Sequence, residues 1–169
     1  MNIGTKLVLS GLILMFIACA AAIVAGMADE TLMEAWVICQ PGSYVNVRTK
    51  PSSRSECMGR FESGDRVYLD GIVQNGFAHC VRLALEDTEG WIHLGYLVAD
   101  KPELKNGAWY RIRSNGRVAV RRSIDGDRTA WLKNGSELQV LWMSDEWSLT
   151  TRGFVKTEYL EAKEENDNG

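Results

Sequence analysis

Few side chains in this 169-residue sequence are of the kinds that attack a substrate or bind a transition metal. Beyond the first 28 residues, the thiols and imidazoles are Cys39, Cys57, Cys80, His79 and His93. A cysteine nucleophile needs a histidine beside its thiolate, but His79 and Cys80 are neighbours on a predicted strand and point to opposite faces. The zinc spacings Cys-x-x-Cys and His-x-x-x-His do not occur. We therefore expect no enzyme, no metal and no cofactor.

The rest of the sequence is organised as a repeat. Two segments of the first copy, 44–52 (YVNVRTKPS) and 90–97 (GWIHLGYL), return in the second as 118–121 (VAVR) and 153–160 (GFVKTEYL). The offset between the copies falls from 73 residues at the first pair of segments to 63 at the second. Repeats of one structural unit keep their elements and vary in their loops, so the second copy is the same design with shorter loops.

Each copy has the pattern of short strands joined by tight turns. Val45 and Val47 alternate with polar residues, which is typical of a strand with one buried face. Asn75-Gly76 and Asn115-Gly116 are hairpin signals, because asparagine and glycine tolerate the positive φ of a type I′ turn. His93 is expected to be a partly exposed strand residue. A series of such strands without a convincing helix predicts an all-β chain of two small barrels.

A hydrophobic segment precedes the repeats. Residues 7–26 carry no charge, and they follow Lys6 and precede Asp29. Positive charge before an apolar segment sends the following chain across a membrane. Small residues favour signal-peptide cleavage after Ala28, whereas 20 uncharged residues are long enough for a retained helical anchor. A lipoprotein signal at Cys19 is a third interpretation, and all three predict an extracytoplasmic protein, secreted or membrane-tethered.

The sequence divides into four predicted segments, and its charge is unevenly distributed between the two copies. We predict a signal peptide or anchor at 1–28, barrels at 35–100 and 108–161, and a flexible tail at 162–169. The net charge of −3 is too small to indicate a polyionic partner, and the compartment disfavours nucleic acid. The charge is divided unevenly, because residues 29–107 hold 8 basic and 12 acidic side chains while residues 108–161 hold 9 and 7.

The repeated segments resemble the bacterial SH3-type (SH3b) domain. In the first copy the resemblance rests on YVNVRTKPS, a Ser-Gly-Asp turn at 63–65, NGF at 75–77 and GWIHLGYL, in that order. The second copy matches more weakly and lacks the Asn and Pro of the N-V-R-x-x-P pattern. Together the two cover about residues 35–161. The resemblance implies tandem SH3-like barrels in the bacterial envelope, from a family that often binds peptidoglycan or its peptides.

The resemblance also implies where a ligand would lie. We expect a non-catalytic binding protein that recognises peptidoglycan-derived peptide or glycan in a groove between the first long loop and the final strand. The residues that this implies are Asn46, Arg48, Tyr68 and Tyr96 in the first copy and Arg121, Trp142, Trp147 and Tyr159 in the second. The alternative is an extracytoplasmic interaction module that docks an envelope protein.

Two features stay open on the sequence alone. Cys57 and Cys80 fall where SH3b domains usually have apolar strand residues, which favours free thiols that behave as small hydrophobic side chains. An oxidising exterior would also permit a Cys57–Cys80 disulfide, with Cys39 left over. The arginines of 111–128 either form a solvated strand face or bind anionic wall polymer or peptide carboxylates.

Overall fold

The computed structural model describes residues 32–82 and 89–163, and these residues form an all-β protein. They contain two short 3-10 turns and no α-helix, which confirms the predicted fold class. The predicted N-terminal hydrophobic helix within 1–28 lies outside the described residues. In the part of the chain that the structure describes, no helix has the length and apolar character needed to cross a bilayer.

The described residues fall into two compact units, of which the first comprises 32–38 and 43–101 and the second 39–42 and 102–163. The first unit is a seven-stranded antiparallel sheet. Its strands are, in chain order, β1 (Met33–Val37), β2 (Val45–Arg48), β3 (Cys57–Phe61), β4 (Arg66–Gln74), β5 (Phe77–Arg82), β6 (Gly90–His93) and β7 (Leu97–Val98). The 3-10 turn Leu94–Tyr96 lies between β6 and β7.

The second unit is also a seven-stranded antiparallel sheet. Its strands are β8 (Ala108–Ile112), β9 (Val118–Arg121), β10 (Arg128–Leu132), β11 (Glu137–Met143), β12 (Trp147–Thr150), β13 (Gly153–Lys156) and β14 (Leu160–Ala162). The 3-10 turn Thr157–Tyr159 precedes β14. Ordered structure therefore continues through Ala162, where the flexible tail was expected to begin, and the Lys163 amide donates to the Trp109 carbonyl at 3.0 Å.

The two sheets have the same strand order. The first runs β3-β2-β6-β5-β4-β1-β7 and the second β10-β9-β13-β12-β11-β8-β14, so each strand of the second corresponds to the strand seven places earlier. Agreement of all seven positions identifies the units as two copies of one design. It also allows residues of the two copies to be compared position by position.

The strand register defines these equivalent positions. On β5 and β6 the paired residues are Phe77 with His93, His79 with Trp91, and Cys80 with Gly90. On β12 and β13 they are Trp147 with Lys156, Leu149 with Phe154, and Thr150 with Gly153. His79 and Trp91 are therefore equivalent to Leu149 and Phe154. The other two pairs of the first unit correspond to those of the second unit in the same order.

Alternating burial builds a core in each unit. On β2, Val45 and Val47 are buried while Asn46 and Arg48 are half-buried, as the sequence pattern predicts. The second unit buries the cluster Ile112, Val118, Val120, Leu132, Leu138 and Val155, against which Tyr159 and Leu160 pack. The side chains on the opposite face of these strands are the ones available for binding.

Glycine begins β6 and β13 because these strands cross close to β2 and β9. A Cβ atom on Gly90 would lie 2.5 Å from Val47 Cγ1. On the equivalent Gly153, whose φ is 132°, it would lie 2.6 Å from the Arg121 carbonyl oxygen. No larger residue fits either position without displacement, and Gly153 also has a backbone conformation that favours glycine.

Candidate functional site

The densest group of interacting polar side chains in the first unit lies on the outer face of β4, β5 and β6. It consists of Asp70, His79, Glu89 and Trp91, and we call it the His79 site. His79 Nδ1 lies 2.7 Å from Asp70 Oδ2, and these side chains are only 15% and 19% exposed. The Trp91 ring packs against the imidazole with 4.8 Å between ring centroids. Burial and stacking together fix the orientation of the imidazole.

An irregularity in β4 positions the Asp70 carboxylate. The register between β4 and β5 shifts between Leu69 and Val73, and Gly71 in this interval has a φ of 86°. The Ile72 amide donates to Asp70 Oδ1 at 2.9 Å. The bulge therefore holds one carboxylate oxygen on the backbone and leaves the other for His79 on the neighbouring strand.

The carboxylate determines how the imidazole can be used. An ionised carboxylate only accepts hydrogen bonds, so His79 Nδ1 is the donor in this pair. In the neutral ring the other nitrogen, Nε2, is then an acceptor. Nε2 lies 3.8 Å from Oε2 of Glu89, whose side chain is 69% exposed. With a neutral ring, the site therefore presents two acceptors, Nε2 and the Glu89 carboxylate, beside an indole ring.

A second aromatic group continues along the same face. The His93 ring lies 5.1 Å from Phe77 in an edge-on arrangement and 6.0 Å from Tyr96. His93 Nδ1 accepts a hydrogen bond from the Gly95 amide at 3.2 Å, which caps the 3-10 turn. His93 is half-buried, as the sequence predicts.

The second unit has no counterpart of the His79 site. Leu149 and Phe154, equivalent to His79 and Trp91, are apolar and 0% exposed. Leu141 follows Val140 in β11 as Asp70 follows Leu69 in β4, so the carboxylate is also replaced by an apolar side chain. His79 and Trp91 thus correspond to fully buried apolar side chains in the second copy, and Asp70 corresponds to an apolar side chain that is half-buried.

Of the four residues that the family resemblance implies for the first unit, two lie along β2 beside the His79 site. Arg48 is the register partner of Trp91, and its Nη1 donates to the Ser55 carbonyl at 2.6 Å. Asn46 Oδ1 lies 3.3 Å from the Cys57 thiol sulfur. Arg48 therefore holds the loop after β2 and does not project freely toward a ligand.

The other two implied residues of this unit are tyrosines. Tyr96 is half-buried in the 3-10 turn, where it joins the His93 group. Tyr68 is half-buried on β4, and the Arg66 guanidinium carbon lies 5.3 Å from its ring centroid. Tyr68 and Asp70 share one face of β4 because they are two residues apart. Tyr68 thus shares the face of β4 that carries Asp70, whereas Tyr96 lies with His93.

In the second unit, Arg121 repeats the role of Arg48. Its Nη1 donates to the Gly126 carbonyl at 2.7 Å, across the loop that follows β9. Trp142 is half-buried on β11, while Trp147 is only 3% exposed with the Lys156 ammonium 4.4 Å from its ring centroid. Among the described residues, no hydrogen-bond partner meets the indole nitrogen of Trp147. Burial removes the Trp147 ring from contact with a large ligand.

The remaining implied residue, Tyr159, packs against the core cluster of the second unit. The negative charge of Glu158 raises the pKa of its hydroxyl above the ordinary value, and a hydrogen bond to Glu158 and burial act in the same direction. Of the four residues of this copy, Trp147 is therefore buried and Tyr159 is held against the core.

The structure does not join Cys57 and Cys80 in a disulfide, since both are free thiols. Cys57 is exposed on β3 and Cys80 is buried on β5, and β2 and β6 separate these strands in the sheet order. Three interstrand steps correspond to about 14 Å, well beyond the roughly 7 Å that a disulfide spans between Cα atoms. Burial, with the nearby charge of Asp70, raises the pKa of the Cys80 thiol to about 12.

Sequence reasoning missed the His79 site as a unit. Asp70 and His79 are brought together by a bulge in β4, which no residue spacing announces. A signal was nevertheless present in the repeat. Alignment of GWIH with GFVK sets Trp91 against Phe154. Alignment of the preceding strands sets His79 against Leu149, so the copies differ in polarity at this position.

Residues 32–82 and 89–163 contain no preformed metal site, because no three of their His, Cys, Asp and Glu side chains are grouped so that they could hold an ion.

Comparisons with known proteins give weak similarities. No family model matches the sequence, and no curated protein matches it. Among solved structures, NlpC1 from Trichomonas vaginalis is 17% identical at a TM-score of 0.35, with 86% of this chain and 51% of that chain covered. NlpC2 from the same organism is 15% identical at a TM-score of 0.35, with 84% and 52% covered. The chain thus spans about half the length of these structures, and likeness at this level assigns it no function.

Proposed function

We propose that this chain is a non-catalytic envelope protein with two SH3-like barrels, which binds peptidoglycan-derived peptide or glycan. The observation that carries the proposal is the His79 site, where an indole ring and fixed hydrogen-bonding groups lie on the outer face, while His79 and Trp91 correspond to fully buried apolar residues in the other copy. Surfaces that combine aromatic area with a few oriented polar groups are typical of sites for small amphipathic ligands.

The strand pairing supports the barrel interpretation. In the first unit β1 pairs with both β4 and β7, so the start and the end of the unit meet in one sheet. β8 does the same with β11 and β14. Small barrels limit their exposed edges by pairing the first and last strands of a short sheet in this way. The SH3b resemblance of the sequence assigns the same architecture.

The chemistry of the cysteine nearest to a histidine favours binding over catalysis. The pKa of the buried Cys80 thiol is raised to about 12, so the reactive thiolate is scarce near neutral pH. Its neighbour His79 faces the opposite side of the strand, where its Nδ1 bonds to Asp70. The two side chains therefore do not form a nucleophile and base pair.

Sedimentation of the full-length chain with purified sacculi, in a mild detergent, tests the proposed function. We expect the chain to be retained, and Trp91→Phe to weaken retention by about threefold or more because the ring loses contact area and its N–H. Trp131→Phe is the matched control, since Trp131 is an exposed tryptophan of the second unit. No retention of the unaltered chain would refute wall binding.

An envelope protein as partner is the second candidate. It is favoured by exposed aromatic side chains on the second unit, where the Arg128 guanidinium carbon lies 4.5 Å from the Trp131 ring centroid and Trp109 is exposed on β8. Arginine and tryptophan are enriched at energetically important positions of protein interfaces. Specific recovery of one envelope protein with the chain, without retention on sacculi, would favour this candidate.

A further inference from the structure

We propose that the His79 site binds the ammonium group of its ligand, so that the wall component recognised is a peptide with a free amine. This inference rests on the proposed binding function and assigns a chemical class to the ligand of the same site.

The spacing of the two acceptors fits one donor nitrogen. His79 Nε2 and Glu89 Oε2 are 3.8 Å apart, and a nitrogen placed about 2.8–3.0 Å from each would donate to both. An ammonium group carries three donors and no acceptor, so it can bridge the pair and still bond to water. A carboxylate or a carbonyl cannot do so, because it has only acceptors to offer.

The charges around this point favour a cation. Asp70 on β4 and the Glu89 side chain before β6 are carboxylates, and the Trp91 indole lies beside the imidazole. A cation held near the face of an indole ring is attracted to it even when solvent has access. Arg48, on the strand next to β6, directs its guanidinium to the Ser55 carbonyl. With a neutral imidazole, the charge of the site is therefore negative.

The site is confined to the first unit. Leu149 and Phe154 offer neither an acceptor nor an accessible ring, because both are fully buried. The second copy also shows that leucine and phenylalanine fit these positions of the design. His79→Leu with Trp91→Phe should therefore fold while it loses the ammonium site.

Titration of the full-length chain with simple amines tests the inference. The probes are triglycine, which has a free α-amine, and Nα-acetyl-lysine amide, which has a free side-chain amine; their fully acetylated forms are the controls. We expect at least one free amine to bind about tenfold more tightly than its acetylated form, with a change in the 15N chemical shift of His79 Nε2. The probe that binds more tightly shows whether an α-amine or a side-chain amine is preferred. Equal affinity for free and acetylated probes, or no binding of either free amine, would overturn the inference.

Single substitutions separate the site from general charge effects. Glu89→Gln should weaken amine binding by about threefold to tenfold, since it removes a charged acceptor. Glu56→Gln, an exposed carboxylate of the same unit, makes the same change in net charge and should have no effect. In His79→Leu/Trp91→Phe the preference for free over acetylated amines should be lost. Equal losses in both glutamine variants would contradict a local site.

Chemically acetylated sacculi distinguish failure of this inference from failure of the proposed function. Loss of retention on acetylated sacculi supports both. Equal retention on untreated and acetylated sacculi leaves wall binding intact and overturns the ammonium site.

Discussion

Arg48 and Arg121 occupy equivalent positions on β2 and β9, and each donates to a carbonyl of the loop that follows its strand. The acceptors are Ser55 at 2.6 Å and Gly126 at 2.7 Å. Both arginines were expected to contact a ligand because the family pattern contains this residue. The structure gives them a local role, since a charged donor that bonds to a loop carbonyl restrains the loop.

Removal of either guanidinium should loosen its loop. For Arg48→Gln we expect a loss of about 1 kcal/mol in the free energy of unfolding and faster amide exchange in residues 49–56. Arg54→Gln, an exposed arginine in the same loop, is the control and should leave exchange unchanged. Amide exchange measured by NMR or mass spectrometry reads out the effect, and equal rates in all three chains would disprove the restraint.

The Cys80 thiol links stability to alkaline pH. Because its pKa is raised to about 12 in the fold from 9.0, the unfolded chain loses this proton first as the pH rises. The contribution of the buried thiol to the free energy of unfolding is complete below pH 9.0. Above pH 9.0 this contribution falls by roughly 1.4 kcal/mol per pH unit, until the pH reaches about 12. In Cys80→Ala, the free energy of unfolding measured with urea should not show this part of the decline between pH 9.0 and about 12. A parallel decline in both proteins would contradict the burial of the thiol.

Residue identities allowed only part of the site to be predicted. The alternation of Val45 and Val47 with polar residues correctly placed Asn46 and Arg48 on the outer face of β2. Trp147, in contrast, is buried where a ligand contact was expected, because the four residues of β12 are all buried and do not alternate. An alternating pattern can be recognised in a sequence, whereas burial of both faces of a strand depends on what packs over it.

At the scale of strands, β6 and β13 both begin with a glycine that allows close approach to the neighbouring strand. We expect Gly153→Ala to cost about 2–4 kcal/mol, because a Cβ would meet a backbone carbonyl and φ is positive. Gly90→Ala should cost less, about 1–3 kcal/mol, because the obstacle is the Val47 side chain. Gly116→Ala, where a Cβ has open space, is the control. Equilibrium denaturation checks the order, and a larger loss for Gly90→Ala would contradict it.

The strand pattern was predictable because turns and alternation are local properties. The all-β class follows from signals such as Asn75-Gly76, which forms the turn between β4 and β5, and the repeat follows from the matching segments of the two copies. The bulge that aims Asp70 at His79 was not predictable, since it depends on how β4 and β5 pair over several residues. The contact between Asp70 and His79 thus depends on how neighbouring strands pair.

At the scale of the whole molecule, two copies of one strand order have diverged in polarity at a few equivalent positions. Asp70, His79 and Trp91 of the first unit correspond to Leu141, Leu149 and Phe154 of the second. Duplication leaves one copy free to lose a site while the shared core residues maintain its fold. On this account the first unit binds the ligand and the second serves another role.

The most direct test of this division is to map the bound ligand on the full-length chain. Backbone 1H–15N spectra recorded with and without soluble peptidoglycan fragments report every residue whose surroundings change. The account predicts shifts concentrated on β4, β5 and β6, including His79 and Trp91, with little change on β12 and β13. Shifts confined to the second unit, or spread equally over the equivalent positions of both, would contradict it.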